Sequence, residues 1–199
     1  MKMFRAILAP LAFALATPAM ADAIPLSELS RYLNTLGSAE ARFTQMNADG
    51  SKSMGTLFIK RPGRARFEYD PPEKALVMAG AGNVAIFDSK SNQPPEQYPL
   101  RRTPLNLILA PRINLEQAKM VVGVKEVGTA THVVAQDPKN PEYGTIELVF
   151  TANPTALREW IITDDQGGQT RVELSDLKSN VEFPARLFDI SFEREKRKG

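Results

Sequence analysis

LFIKRPGRARFEYDPP, residues Leu57 to Pro72, alternates apolar and polar residues on both sides of a breaker. Leu57 and Ile59, then Ala65, Phe67 and Tyr69, fall on one parity, the period of a strand with one buried face. Arg61-Pro62-Gly63 supplies the turn between the two runs: Pro presets φ and Gly tolerates φ > 0. Arg61 shares the parity of the apolar residues and so points toward the buried side, where a guanidinium needs hydrogen-bond acceptors.

The same rhythm extends outward. Upstream, Leu26, Leu29, Leu33 and Leu36 recur at helical spacing between Pro25 and Gly37, which predicts a helix packed by its leucine stripe. Strands are expected at 41–46, 54–60, 64–69, 75–79 and 84–88, separated by short turns. Residues 89–102, with three prolines and Arg101-Arg102, are expected as an exposed loop. Thr103-Pro104 then opens a short apolar helix, Leu105 to Leu109, ended by Pro111. Further strands are expected at 120–126, 131–136, 144–151, 157–163, 169–174 and 187–192, before a frayed charged tail at 193–199. About eleven short strands without crossover helices predict an antiparallel meander. The class is α+β, mainly antiparallel β, with a strongly curved sheet whose concave face the apolar helices cover.

Lys2 and Arg5 precede an apolar run from Ala6 to Ala16 that only Pro10 interrupts. Thr17-Pro18-Ala19-Met20-Ala21 follows as a small-x-small cleavage site. Residues 1–21 are expected to be a cleaved signal peptide, with Ala23 as an alternative last residue, and 22–199 a single domain. The apolar run is shorter than the roughly 20 residues that cross a bilayer. Without the peptide, 25 basic against 23 acidic residues become 23 against 23, which removes the charge argument for nucleic-acid binding. An exported chain with no Cys has no disulfides, so apolar burial must hold the fold. It also has no thiol for lipid attachment.

Catalytic patterns are missing from the sequence. His132 stands alone among valines, and no Cys/His cluster offers a zinc site. Asp164-Asp165 and Gly167-Gly168 read as turn residues, and no Gly-x-Ser-x-Gly elbow occurs. Neither an enzyme nor a bound cofactor or metal is expected.

Leu57–Pro72 resembles the signature of the periplasmic outer-membrane lipoprotein carriers, the LolA-like family. Ala41-Arg42-Phe43-Thr44-Gln45 resembles the family's opening strand, and Thr103-Pro104-Leu105 through Leu109 its lid helix. Asp164 to Thr170 resembles its late Asp-x-x-Gly-Gln-x-Thr hairpin, and Asn180 to Phe188 its last stretch. The resemblance implies an incomplete, unclosed β-barrel covered by a helical lid. It also implies a periplasmic carrier that takes acylated lipoproteins from an inner-membrane ABC transporter of the LolCDE type to an outer-membrane receptor. By position, Arg61 resembles the arginine that holds the lid shut over an empty cavity, with Leu105, Leu107, Ile108 and Leu109 in the lid. Ala65 and Phe67 match the cavity wall. Leu57, Ile59 and Tyr69, with Phe43 and the helix residues Leu29, Leu33 and Leu36, complete the candidate acyl-chain cavity. The carrier is expected to act as a monomer and without nucleic acid.

Two other functions fit the residues: a periplasmic binder of free lipid or other hydrophobic small molecules, and a non-catalytic protein-docking module. Arg64, Arg66, Arg101 and Arg102 read either as a solvated surface or as a basic rim for docking. Many relatives of the LolA-like family carry Trp at the position of Phe67, whereas this chain has the single Trp160.

Overall fold

Leucines at three- and four-residue spacing make helix α1 (Leu26–Thr35), with Leu29 and Leu33 buried on one side. Six strands follow in a meander: β1 (Ser38–Met46), β2 (Lys52–Lys60), β3 (Arg64–Tyr69), β4 (Leu76–Gly80), β5 (Asn83–Phe87) and β6 (Glu96–Pro99). A 3-10 turn at Leu100–Arg102 leads into the single turn of α2 (Leu105–Ile108). A second meander comprises β7 (Val121–Val127), β8 (Ala130–Gln136), β9 (Thr145–Thr151), β10 (Ala156–Thr163) and β11 (Gln169–Ser179). The chain ends with a 3-10 turn at Ala185–Phe188 and helix α3 (Ile190–Lys196). This computed structural model describes residues 23–88, 93–117 and 119–197; the expected signal peptide at 1–21 lies outside the described residues.

All eleven strands form one antiparallel sheet in the order β6-β5-β4-β3-β2-β1-β11-β10-β9-β8-β7. The two meanders are joined where β1 pairs with β11, and β6 and β7 remain unpaired edges, so the barrel is not closed. Right-handed twist curls a sheet of this length. Register shifts in β1, β7 and β10 add local bends. In the quoted stretch, Leu57 pairs with Phe67 and Ile59 with Ala65, so the parity set lies on one face. Asp70, at its end, is bonded by Arg42, which also donates to Thr56 Oγ1 on the outer face.

The concave face, α1 and α2 share one apolar cluster. Phe43 sits directly opposite Gly55, and its ring packs where a side chain would otherwise stand. A Cβ at Gly55 would lie 2.2 Å from the Glu68 carbonyl oxygen and 2.6 Å from Phe43 Cζ. Gly55→Ala is therefore expected to cost about 2 kcal/mol by forcing the ring and the strand apart. A thermal melt followed by circular dichroism measures this; an unchanged midpoint would show that the ring moves freely.

Three expectations need correction. The 89–102 segment is not all loop: β6 pairs with β5, and Leu100 is buried. Residues 187–192 are not a strand. Asp189 caps α3 by accepting from the Phe192 amide at 3.0 Å, which turns the chain into a helix. Nor is 193–197 a frayed tail. α3 lies on the convex face over Leu76, Met78, Ala85 and Phe87, with Ile190 as its apolar anchor. Beneath it Arg66 and Glu193, 6% and 5% exposed, form an ion pair at 3.2 Å. Arg66 therefore belongs to no basic rim.

Candidate functional site

The bowl begins with strand parity. Phe43 of β1, Leu57 and Ile59 of β2, and Ala65 and Phe67 of β3 all point into the concave side and are buried. Tyr69 is half-buried against the same cluster; its hydroxyl donates to Gln45 Oε1 at 2.7 Å. Burial pushes its phenol up to about 12, with the Gln45 contact acting the other way, so it remains a neutral donor. The rings interlock edge to face: Phe43 with Phe67 at 5.6 Å, Phe43 with Tyr69 at 5.1 Å, and Phe67 with Trp160 at 6.2 Å.

Leu29, Leu33 and Leu36 close the bowl from the α1 side. Leu107, Ile108 and Leu109 close it from the lid, with Leu105 half-buried beside them. The structure thus brings every apolar residue singled out in the sequence into one cluster. It adds the other half of the wall, which the sequence reading left out: Val133, Ile146, Leu148, Phe150, Trp160 and Val172 from β8 to β11. The signal was present, since Ile146, Leu148 and Phe150 alternate as Leu57 and Ile59 do.

Arg61 lies where three segments meet. Its Nη2 donates to the Leu33 carbonyl at 2.8 Å; its Nη1 reaches the Ala110 carbonyl at 3.3 Å and Asn34 Oδ1 at 3.4 Å. Leu33 and Ala110 lie at the C-terminal ends of α1 and the lid, where carbonyls lack helical partners and a cation is favoured. Burial pushes the guanidinium below its ordinary value. Its Nε is buried with no hydrogen-bond partner. An unmade bond of this kind costs about 1–3 kcal/mol and offsets part of what the carbonyl bonds contribute.

Asn34 is a residue that sequence reasoning missed. Its amide donates to the Ile113 carbonyl at 2.8 Å and its Oδ1 accepts from the Ile113 amide at 3.1 Å, tying α1 to the chain just past the lid. Ser30 does the same one turn earlier, accepting from the Leu115 amide at 2.9 Å. Both partners are distant in sequence, so no local pattern marks these residues.

His132 lies outside this site. On the outward parity of β8, its Nδ1 is 2.5 Å from Glu147 Oε1, which Lys125 also approaches at 2.9 Å. That is a cross-strand polar cluster on the outer face of the sheet. Among the described residues no helix is long and apolar enough to cross a membrane.

The family model described as Outer membrane lipoprotein carrier protein LolA matches residues 34–191. A protein of Azotobacter vinelandii named outer-membrane lipoprotein carrier protein is 26% identical over 202 residues, covering 96% of this chain and 95% of its own. One of the same name from Pseudomonas aeruginosa is 27% identical over 177 residues, covering 84% and 83%. Among solved structures, a putative outer membrane lipoprotein-sorting protein domain from Vibrio parahaemolyticus aligns with 87% of this chain and 97% of its own. Its TM-score is 0.48 and its identity 9%.

Proposed function

Because this chain belongs to the LolA family of outer membrane lipoprotein carrier proteins, we propose that its bowl shields the acyl chains of a lipoprotein while the lipoprotein crosses water. The observation that carries this reading is the single apolar cluster shared by the concave sheet face, α1 and the lid. Each buried methylene is worth roughly 0.8 kcal/mol, so a sixteen-carbon chain needs shielding on the order of 10 kcal/mol. An apolar bowl supplies that without directional contacts, which suits cargo of varied sequence. The role makes and breaks no covalent bond and requires no cofactor.

The cargo route follows from the same reading. A signal peptide at 1–21 places the mature chain in the periplasm, where it works as a monomer. It takes lipoprotein from an inner-membrane ABC transporter of the LolCDE type and passes it to an outer-membrane receptor. Arg61 is the gate: its bonds to Leu33 and Ala110 favour the closed, empty bowl and so oppose retention of cargo.

Spheroplasts carrying a labelled lipoprotein and an active transporter test the proposal. Adding residues 22–199 is expected to bring the label into solution as a one-to-one complex. If the label stays on the membrane, the carrier reading fails, and binding of free lipid becomes the function to examine.

A further inference from the structure

The hydrogen bonds around the lid are distributed unevenly. Leu100 donates its amide to the Gly82 carbonyl in the β4–β5 turn at 2.9 Å, and Gly63 in the β2–β3 turn donates to the Leu109 carbonyl at 2.9 Å. These two bonds tie both ends of the lid to turns of the first meander and together make a hinge line. Arg61, in the same β2–β3 turn as Gly63, bonds the Ala110 carbonyl at the lid's far end and the Leu33 carbonyl of α1, and Asn34 of α1 bonds Ile113 just past the lid; together they latch that end to α1. On the remaining side, Arg101, Arg102 and Thr103 face Met120, Ala135 and Ile146 across a narrow seam. Among the described residues no hydrogen bond joins the lid to β8 or β9 across it.

The seam encloses about 20 Å³, room for roughly one water. It is closed to an acyl chain as it stands. Ala135 and Ile146 at its base belong to the same apolar cluster as Leu107 and Ile108, so the seam leads straight into the bowl. Once the latch lets go, no hydrogen bond to β8 or β9 resists parting the lid from the sheet here, whereas lifting it from the first meander breaks both hinge bonds. At the rim, Arg101 and Arg102 are exposed and make no ion pair among the described residues. The neighbouring Asp137 is occupied by the Lys139 amide and the Asn140 side chain.

We propose that acyl chains enter and leave the bowl through this seam, and that Arg101 and Arg102 bond the carbonyl oxygens at the head of the acylated cargo. This rests on the carrier reading above. The ester and amide carbonyls where acyl chains meet a lipoprotein are acceptors without protons to give, and each guanidinium offers five donors and accepts nothing. The phosphates of a membrane surface share that acceptor chemistry, and the test separates the two sources.

The chain has no cysteine, so Asn106→Cys with Gln136→Cys places the only two thiols on opposite sides of the seam. A short bismaleimide spacer with a reducible centre then pins the lid to the sheet. Loading of purified triacylated lipoprotein from detergent is expected to fall at least tenfold when the spacer is intact and to return when it is reduced. Equal loading in both states would overturn the seam as the entrance. No loading after reduction, in a variant that retains its circular dichroism spectrum while wild type also fails to load, would instead overturn the carrier reading.

The second measurement concerns the arginines. Arg101→Gln with Arg102→Gln is expected to weaken triacylated cargo roughly tenfold, the effect of about one charge-assisted hydrogen bond. Binding of an octadecyl fluorophore without ester or amide groups should not change, nor should association with phosphatidylglycerol vesicles. Weaker vesicle association with unchanged cargo loading would overturn the headgroup assignment and give the arginines to the membrane surface.

Discussion

Arg61→Leu is expected to load lipoprotein and fail to release it. The substitution removes the 2.8 Å bond to the Leu33 carbonyl and the weaker contacts to Ala110 and Asn34. A hydrogen bond from a charged donor contributes about 1.5–3 kcal/mol. Leu also ends the cost of a buried guanidinium with an unpartnered Nε, which returns part of that loss to the closed state, while the apolar surface it adds beside the bowl favours retained cargo. A net loss of about 2 kcal/mol from the closed state shifts the closed-to-open balance roughly thirtyfold. Transfer to outer membranes should slow by a similar factor, with purified protein retaining bound cargo. Arg61→Lys should fall between, because an ammonium keeps the charge without the planar fork. A Leu variant that hands over cargo at the wild-type rate would remove Arg61 from the gate.

Glu193→Ala is expected to cost about 3 kcal/mol or more and to undock α3. Its carboxylate accepts from Arg66 through Oε2 at 3.2 Å and from Arg197 through Oε1 at 2.9 Å. Removing one member of a buried pair leaves the other under-compensated: Arg66 then has only the half-exposed Glu68 and the Leu187 carbonyl to bond. Ile190 and the Arg197 guanidinium, 5.2 Å from the Phe87 ring centre, add to the helix's hold on the sheet. Hydrogen exchange resolved to residues 190–197 measures the undocking.

The pH dependence follows from the same contacts. Burial alone pushes the Glu193 carboxyl up, but the Arg197 bond and the charge of Arg66 outweigh it and hold the group below the ordinary glutamate range. A depressed carboxylate contributes stability that is full above the unfolded-state value. That stability is lost as pH falls through the folded one. Protection of α3 should therefore decline below the ordinary glutamate range in wild type and show no such dependence in Glu193→Gln. Identical acid profiles for the two would mean that the pair does not hold the helix.

Much of the wall was legible because its signal is local. Leu57, Ile59, Ala65 and Phe67 alternate within one hairpin, and a strand sends alternate side chains to opposite faces whatever it pairs with. Residues 96–99 look like loop in the sequence because a four-residue edge strand holding Glu96, Gln97 and Pro99 has almost no apolar alternation to show. Residues 187–192 resemble a strand because Leu187, Ile190 and Phe192 are apolar and close together. The Asp189 cap and the basic last turn of α3 are the features that make it a helix. Asn34 could not be assigned its role in this way, since its partner Ile113 is 79 positions away.

From the sequence alone came the parity of the strands, the leucine stripe, the apolar lid and an arginine forced toward the buried side. These follow from the geometry of one residue against its neighbours in the chain. Tertiary structure decided that β1 pairs with β11, that the two ends of the lid segment bond to Gly63 and Gly82, that Arg61 meets the ends of two helices, and that Arg66 finds Glu193 across 127 positions. Each of these contacts joins segments whose own sequences are satisfied by many partners. Only the folding of the whole sheet into one bowl, with a single concave face to fill, selects among them.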